Sequence, residues 1–377
     1  MSWKIPLFKI YWDEDDVESV SEVIKRGNYW TTGPEVEQLE KKIAGYVGAK
    51  YALSFNSGTS ALHADLLAHD MKGGEVIVPS FTFISTANAV VLSGAKPIFA
   101  EVEDNSYGLD PEDVKEKITS KTRAIIPVHY GGAPCKEIKA LQEIADDHNL
   151  FLVEDAAESL GSKIGNKMVG TFGQSAIFSF CQNKIVTAGE GGIVVTDSKL
   201  VYEKLKLIRS HGRLENKENY FSTTSELDYI QIGYNYRMSS VTAALVLSQF
   251  EKINKIIKMR REKAGYYDSK LSKIKNIKIP SSLKNHFHVY QMYTIQLKNK
   301  INRVKLQQNL IKAGVMTKIY FSPIHLTTFY REKFNYKKGD LPKTEELSEK
   351  VLTLPLYPTL IIEEMDYIIG KIKNCCE

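Results

Sequence analysis

The chain has 377 residues, of which 43% are hydrophobic and 25% charged, and its formal net charge is +5. This composition is typical of a soluble globular protein with more than one domain, because single cores stop growing near roughly 250–300 residues. The weak positive charge gives no indication of nucleic-acid binding. We find no apolar run of ~18 residues and no signal-peptide pattern, so we expect a cytoplasmic protein without a membrane span.

Cysteine usage points to the same compartment. None of the four cysteines stands at the spacing of a zinc finger, and two of them are adjacent, which is a poor geometry for a mutual disulfide. The pattern predicts a reduced, intracellular chain without a metal site. The four are Cys135, Cys181, Cys375 and Cys376.

Strand and helix patterns alternate between about residues 51 and 197. This alternation predicts an α/β fold with a mostly parallel central sheet flanked by helices. In such sheets ligands bind beyond the carboxyl ends of the strands, so the residues after each strand are the candidates for chemistry. The predicted strands are Tyr51–Phe55, Glu75–Val78, Pro97–Val102, Arg123–Val128, Leu150–Val153, Ala176–Phe180 and Gly192–Thr196, and the helices between them include Ser85–Leu92 and Lys136–His148.

The pattern changes after Asn235. A long helical pattern there predicts the start of a smaller C-terminal α+β domain, with the division at residues 1–245 and 246–377. The elements predicted in this part are a helix over Ser239–Leu271, a half-buried strand over His288–Leu297, and helices over Arg303–Lys312 and Glu345–Leu352.

Lys184 is the first candidate for chemistry. It comes just after the predicted strand Ala176–Phe180 and just before the glycine-rich run Gly189–Gly192. A lysine amine attacks a carbonyl well only when burial or nearby cations depress its pKa, and a strand end beside such a turn offers a partly buried place. The alternative is a lysine whose stem lies along the surface near a hairpin.

Asp155 follows another buried strand, in the run Val153–Glu158. A buried carboxylate is costly unless a cation pairs with it, and a protonated pyridine nitrogen is such a cation. The alternative is an aspartate that caps the following turn.

Two further strand ends carry suitable groups. Asn56–Ala61 follows one strand and opens a helix, where free N–H groups and hydroxyls suit a phosphate, although a simple N-cap explains them nearly as well. Phe81–Phe83 follows the next strand, and an aromatic ring there can stack on a flat ligand or belong to the core. Together with Lys184 and Asp155, these features describe a pocket for pyridoxal phosphate.

The motifs resemble those of DegT/StrS-type nucleotide-sugar aminotransferases, within the aspartate aminotransferase (fold type I) superfamily. The resemblance covers essentially the whole chain and is greatest to perosamine-synthase-like enzymes, which aminate a 4-keto-6-deoxy sugar for polysaccharide or O-antigen biosynthesis. At two places the chain departs from the pattern of these enzymes, and both places bear on the identity of the substrate. They are Cys181-Gln182 and the stretch Gly212–Ile232. The motifs that carry the resemblance are Ser57–Leu62, Glu154–Glu158, Phe178–Phe180, Lys184, Gly189–Gly192 and Gly233–Met238.

The resemblance implies a role for each site residue. Lys184 would hold pyridoxal 5'-phosphate as a Schiff base and Asp155 would contact its pyridine nitrogen. The remaining residues would act as follows: Phe83 covers the ring, Gly58, Thr59, Ser60 and Ser179 hold the phosphate, Asn235 reaches the phosphate in the neighbouring subunit of a homodimer, and Glu158, Tyr320 and His325 contact the substrate. For Glu158 and His325, purely structural roles remain open.

The resemblance also implies L-glutamate as the amino donor and a nucleotide-linked sugar as the acceptor. Alternatives that remain open are amination at C3, a UDP- or dTDP-linked sugar, and a regulatory protein that binds the cofactor without turnover. A sugar dehydratase of the same fold would carry histidine in place of Lys184, so we do not expect one.

Overall fold

The structure, a computed structural model, describes residues 3–214, 224, 227–280, 283–298 and 302–376. The first half of the chain forms α1 (Glu14–Arg26), α2 (Pro34–Val47), β1 (Tyr51–Phe55), α3 (Gly58–Ala68), β2 (Glu75–Pro79), α4 (Ile84–Leu92), β3 (Lys96–Ala100), α5 (Pro111–Lys117), β4 (Thr122–Ile125), α6 (Ile138–Asp147), β5 (Phe151–Asp155), β6 (Lys163–Ile164) and β7 (Lys167–Met168). The second half forms β8 (Ser175–Ser179), β9 (Gly192–Thr196), α7 (Lys199–Arg209), α8 (Ser240–Glu251), α9 (Ile253–Leu271), β10 (Ile277–Lys278), β11 (His286–Phe287), β12 (Tyr293–Leu297), α10 (Arg303–Lys312), α11 (Thr328–Phe334), α12 (Pro342–Lys350), β13 (Val351–Leu354) and α13 (Ile362–Cys376).

A seven-stranded sheet with the order β1-β9-β8-β5-β4-β2-β3 forms the centre of the molecule. The strands from β8 to β3 are parallel to their neighbours, while β9 runs antiparallel to both β1 and β8. The carboxyl ends of the parallel strands therefore share one edge, and β9 begins at that edge with Gly192. The predicted fold, a mostly parallel sheet flanked by helices, is confirmed.

Helices cover both faces of this sheet because its strands are apolar on both sides, as parallel strands usually are. Leu53, Val78 and Val153 point to one face, which α3, α4 and α7 cover. Ala52 and Phe178 point to the other face, where α2, α8 and α9 pack over part of the sheet. Helices α5 and α6 cover the remainder of that second face.

A second, antiparallel sheet with the order β10-β12-β13 forms the core of the C-terminal region, together with α9, α10 and α13. Ile5, from the start of the chain, also packs in this core. Ile324 and Tyr330 pack instead against the core of the large sheet. The division at residues 1–245 and 246–377 stays a prediction, and these contacts join the chain on either side of it.

Three predicted elements differ from the observed ones in kind or by more than three residues at one end. The helix over Ser239–Leu271 is two helices, α8 and α9, which meet at Lys252, whose ammonium lies 2.8 Å from Asp16 of α1. The helix over Glu345–Leu352 gives way at Val351 to strand β13, because Val351–Leu354 pairs with β12. The strand over His288–Leu297 is confined to β12, and Tyr290 has a positive φ of 52° that no extended strand accommodates.

None of the helices in the described ranges is both long and apolar enough to cross a membrane. The same residues contain no group of three or more histidine, cysteine, aspartate or glutamate side chains that could hold a metal ion.

Candidate active site

The turn after β1 presents unpaired N–H groups at the beginning of α3. Ser57 is the N-cap of this helix, and its hydroxyl accepts a hydrogen bond of 3.0 Å from the N–H of Ser60. Gly58 and Thr59 are the first two residues of the helix, so no preceding helical carbonyl can accept from their N–H groups. Thr59 is exposed and Gly58 is half-buried, so both can face an anion.

Ser60 plays a different part from Gly58 and Thr59. The hydroxyl of Ser60 donates to Asn56 Oδ1 at 2.6 Å, while its N–H is used by Ser57. The side chain is 6% exposed. In this structure Ser60 therefore holds the turn in shape, and its contact with a phosphate stays a prediction.

Glycine is required where this turn meets the neighbouring strands. A Cβ atom on Gly58 would lie 3.0 Å from the hydroxyl of Ser179, and one on Gly192 would lie 2.5 Å from the carbonyl oxygen of Ser57. Gly192 also pairs with both Phe55 and Ser179 across the sheet. The absence of side chains on Gly58 and Gly192 thus allows the ends of β1 and β8 to form one compact cradle.

Asp155 ends β5 and is 4% exposed. Its carboxylate accepts hydrogen bonds from the Thr86 hydroxyl at 2.7 Å and from the Ala157 N–H at 3.2 Å. Burial raises the pKa of Asp155, and the bonds from Thr86 and Ala157 and the charge of Lys184 only partly oppose that shift. A carboxylate offers about four acceptor positions, so Asp155 can receive a further donor, and a cationic one would offset its burial.

Lys184 lies in the loop between β8 and β9, and its side chain is 13% exposed. Its ammonium is 3.3 Å from Glu158 Oε1, while Glu158 Oε2 accepts from the Gly131 N–H at 2.8 Å. Glu158 therefore faces Lys184 rather than a solvated turn, and its carboxylate is held by a main-chain group on the far side.

Two aromatic side chains border this edge of the sheet. Phe83, the N-cap residue of α4, is 57% exposed, and its ring centroid lies 6.3 Å from that of Phe321. Tyr320 is half-buried. Burial, with the charges of Glu158 and Cys181, raises the pKa of Tyr320 to about 12, although a hydrogen bond with Asn183 opposes the shift. Tyr320 is thus a neutral phenol beside the residues that surround Lys184.

His325 lies at this edge of the sheet, next to Ser80, which directly follows β2. It is fully buried, and its Nδ1 and Nε2 atoms lie 2.7 Å from the Ser80 hydroxyl and 3.1 Å from Glu345 Oε1. Both ring nitrogens are therefore occupied within the protein. This geometry favours the structural role that the sequence left open over a contact with substrate.

Asn235 lies beside the cradle of its own chain. Its carbonyl accepts from the Asn56 side chain at 3.3 Å, and the neighbouring carbonyl of Tyr236 accepts from the Asn56 N–H at 2.8 Å. The residue is exposed. Its predicted reach to a second subunit stays a prediction, and most of the stretch Gly212–Ile232 that precedes it lies outside the described residues.

The arrangement fits an aromatic cation that carries a phosphate. The glycine cradle and the free N–H groups suit the phosphate, and the under-coordinated Asp155 suits a ring N–H⁺. Phe83 leaves more than half of its surface uncovered, and Lys184 supplies an amine at the same edge. These are the features that pyridoxal phosphate requires of a protein.

The sequence prediction missed Thr86, Gly131 and Gln291, each of which contacts a predicted site residue or its neighbour. Thr86 stands out only as a hydroxyl within the apolar helix α4, and Gly131 only as part of a Gly-Gly pair. Gln291 gave no signal, because its contact with Asn183 joins parts of the chain that are far apart in sequence.

Comparison with known proteins shows the family to which the chain is related. The sequence profile of the DegT/DnrJ/EryC1/StrS aminotransferase family matches residues 11–373. The GDP-perosamine synthase of Escherichia coli O157:H7 is 34% identical over 371 residues, which cover 98% of each chain. A pleiotropic regulatory protein of Geobacillus stearothermophilus is 33% identical over 362 residues, which cover 95% of this chain and 93% of the other.

Solved structures show the same architecture. Helicobacter pylori PseC, an aminotransferase involved in the biosynthesis of pseudoaminic acid, superposes with a TM-score of 0.90 at 29% identity. The superposition covers 100% of this chain and 98% of that one.

Proposed function

Since the chain belongs to the DegT/DnrJ/EryC1/StrS aminotransferase family, we propose that it transfers an amino group from L-glutamate to a nucleotide-linked 4-keto-6-deoxy sugar. The family and the enzymatic class predicted from the sequence, a sugar aminotransferase, are confirmed by these relatives. The observation that carries the proposal is the contact of Lys184 with Glu158 at the same sheet edge as the under-coordinated Asp155.

The proposed cofactor is pyridoxal 5'-phosphate. When bound, its protonated ring withdraws electrons and so stabilises negative charge on the α-carbon of the amino donor. Gly58, Thr59 and Ser179 would hold the phosphate, Phe83 would cover the ring, and Asp155 would keep the ring nitrogen protonated. Asp155 suits that task because a buried carboxylate with spare acceptor positions pairs favourably with a cation.

Lys184 is the proposed general base and acid. A free amine at this position can take a proton from the α-carbon of the donor, and it can give a proton back at a later step of the transfer. Glu158 lies 3.3 Å from that amine, and the Gly131 N–H fixes its second oxygen, so Glu158 orients Lys184.

A sugar acceptor is supported by the arginines after residue 240. A 2-oxo acid presents a carboxylate to the enzyme, and an arginine fork is a favoured partner for a carboxylate. Arg260 and Arg261 instead donate to main-chain carbonyls of residues 288–291, and Arg303 donates to the carbonyl of Glu349. Arg331 is exposed. Tyr320, by contrast, offers an aromatic face and a neutral hydroxyl beside Lys184.

The acceptor is tested by measuring half-reactions. Enzyme converted to the pyridoxamine phosphate form is mixed with GDP-4-keto-6-deoxymannose, with UDP- and dTDP-4-keto-6-deoxyglucose, with a 3-keto sugar nucleotide, and with a set of 2-oxo acids. We expect one of the 4-keto-6-deoxy sugar nucleotides to restore the original absorbance fastest. Reaction with 2-oxo acids alone would refute the proposal and would direct attention to Arg213 or Arg237 as a carboxylate clamp.

A regulatory role is the second candidate, because the related protein of Geobacillus stearothermophilus is named a pleiotropic regulatory protein. One simple measurement distinguishes the two candidate functions. An enzyme loaded with cofactor changes its absorbance when L-glutamate is added, whereas a protein that only binds the cofactor does not.

We also propose that the active unit is a homodimer. Close to Asn235 the surface carries large apolar side chains, with Tyr229 53%, Ile230 52% and Ile232 89% exposed. An apolar surface of this kind is typical of an interface. Sedimentation of the loaded protein is expected to give a dimer, and a monomer that retains the cofactor at nanomolar concentration would refute shared sites.

A further inference from the structure

Gln291 lies just before β12, and its main chain is fixed from behind by a buried arginine. Arg260 of α9 donates from Nη2 to the carbonyl of Gln291 at 2.7 Å and from Nε to the carbonyl of Tyr290 at 2.9 Å. Burial lowers the pKa of Arg260 to about 10, so the guanidinium still carries its charge at neutral pH. Charge-assisted bonds of this kind are stronger than neutral ones, so the position of Gln291 is well defined.

The side chain of Gln291 reaches the loop that carries Lys184. Its Nε2 donates to the carbonyl of Asn183, the residue that immediately precedes Lys184. Within the loop itself, the Lys184 N–H donates to the Cys181 carbonyl at 2.9 Å. Gln291 therefore restrains the backbone from which the reactive side chain projects.

The next residue along the chain acts on the other end of Lys184. The Met292 N–H donates to the Gly131 carbonyl at 3.0 Å, and the Gly131 N–H donates to Glu158 at 2.8 Å. Glu158 in turn lies 3.3 Å from the ammonium of Lys184. The segment 291–292 thus contacts the groups that hold both the base and the tip of this lysine.

A glutamine at this buried position is energetically unfavourable. Gln291 is 4% exposed, and its Oε1 has no hydrogen-bond partner within the described residues. An unpaired buried acceptor is unfavourable, so a leucine or methionine would fill the space better if packing were the only requirement. The bond from Nε2 to Asn183 is the feature that an apolar residue would not provide.

We propose that Gln291 is a positioning residue, which sets the placement of the Lys184 amine by holding the Asn183 carbonyl. The inference rests on the proposed function only through the role of Lys184. If Gln291 has this role, the placement of Lys184 depends on a residue of the C-terminal region that is distant from β8 in sequence. Gln291 itself touches neither the substrate nor the cofactor in this account.

Gln291→Met tests the proposal, because methionine keeps the length and volume of glutamine and lacks its donor. Gln296→Met is the matched control. Gln296 stands in β12, its Oε1 also lacks a partner within the described residues, and it borders a different cavity with Asp104 and Lys350. Should Gln291→Met fail to fold, Gln291→Glu takes its place, since it keeps the shape and loses the donor when ionised.

The first readout is steady-state transamination, with L-glutamate as the amino donor and, as acceptor, the keto-sugar nucleotide that reacts fastest in the half-reaction panel. Because small displacements of a reacting group reduce rates strongly, we expect kcat of Gln291→Met to fall about tenfold or more, with KM changed less than about twofold. The pH midpoint of the cofactor's absorbance change is expected to shift in the same variant. Gln296→Met is expected to match the wild type in all three.

The second readout needs neither cofactor nor substrate. Reductive methylation of Lys184 in cofactor-free protein, followed by peptide mass spectrometry, is expected to differ in rate between Gln291→Met and Gln296→Met. Equal methylation rates and equal kcat in the two variants would overturn the proposal. A wild type that aminates nothing, with a methylation change confined to Gln291→Met, would count against the proposed function alone.

Discussion

Glu154 and Asp155 are adjacent carboxylates at the end of β5, and they serve opposite purposes. Glu154 is fully buried and accepts hydrogen bonds from His129 Nε2 at 2.9 Å and from the N–H groups of three residues within 170–173, at 2.6 to 2.8 Å. Its acceptor positions are therefore filled by the protein itself. Successive side chains of a strand point to opposite faces, so Asp155 lies in different surroundings.

Asp155 receives only the bonds from Thr86 and Ala157 and keeps a raised pKa. The difference shows that two adjacent carboxylates can have different roles, one in stabilising the fold and the other in binding a ligand. A carboxylate whose acceptor positions are filled stabilises the fold, while one that is buried with positions to spare is destabilising until a cation arrives. Burial alone does not separate the two, because both side chains are almost inaccessible.

Asp155→Asn removes the carboxylate that we assign to the cofactor, and it has the largest expected effect on activity. An amide cannot stabilise a ring N–H⁺, so kcat for L-glutamate should fall about 1,000-fold. The fold and cofactor binding should persist, since the amide oxygen can still accept from Thr86. Stopped-flow absorbance measures the rate, and near-wild-type kcat would assign the role of Asp155 to another group.

Glu154→Ala removes the carboxylate that stabilises the fold. It leaves buried donors on His129 and on the 170–173 turn without an acceptor, so the free energy of unfolding should fall by about 3 kcal/mol. Urea unfolding of cofactor-free protein measures this loss. A variant that loses less than about 1 kcal/mol would show that the turn finds other acceptors, and the contrast with Asp155 would then be one of degree.

His325→Ala extends the contrast to a residue that the sequence linked to substrate. The change removes one donor from buried Glu345, which keeps its bonds from the N–H groups of Gly339 and Leu341, so we expect a loss of about 2 kcal/mol in unfolding free energy. The KM for the keto-sugar should stay within about twofold. A large rise in KM at unchanged stability would restore a substrate contact for His325.

The pH dependence of stability gives the smallest effect. Because burial raises the pKa of Asp155, the folded cofactor-free protein holds this proton at pH values where the unfolded chain has lost it. Stability therefore falls as pH rises from the ordinary pKa of an aspartate to the raised one, and stays lower above it.

Asp155→Asn removes this cost. The cofactor-free variant should be more stable than the wild type at neutral pH, and the gain should vanish below the ordinary aspartate pKa. Thermal unfolding of both proteins across that pH range measures the difference. Equal stability at neutral pH would mean that Asp155 is already paired in the cofactor-free protein.

Local sequence patterns predicted the elements that carry the site. Strands β1 and β9 have the predicted bounds, because each is a short apolar run between turn residues. Lys184 and the start of α3 follow strands, and Asp155 ends one, so the rule about strand ends placed all three at one edge. Glycines of the run 189–192 were recognised as a turn, although the close approach of Gly192 to Ser57 was not.

Contacts between distant parts of the chain could not be predicted. Lys252, at the break between α8 and α9, pairs with Asp16, and buried His325 is bonded to Ser80 and Glu345. Sequence spacing carries no information about such pairs. The same limit explains Gln291, whose partner Asn183 is 108 positions away.

Reductive trapping shows whether Lys184 carries the cofactor. The loaded protein is treated with borohydride, digested and analysed by mass spectrometry, with Lys184→Arg treated in parallel. We expect the reduced cofactor on the peptide that contains Lys184, and none on the Lys184→Arg protein, which should keep its fold and lose turnover. Trapping on a different lysine would contradict the account.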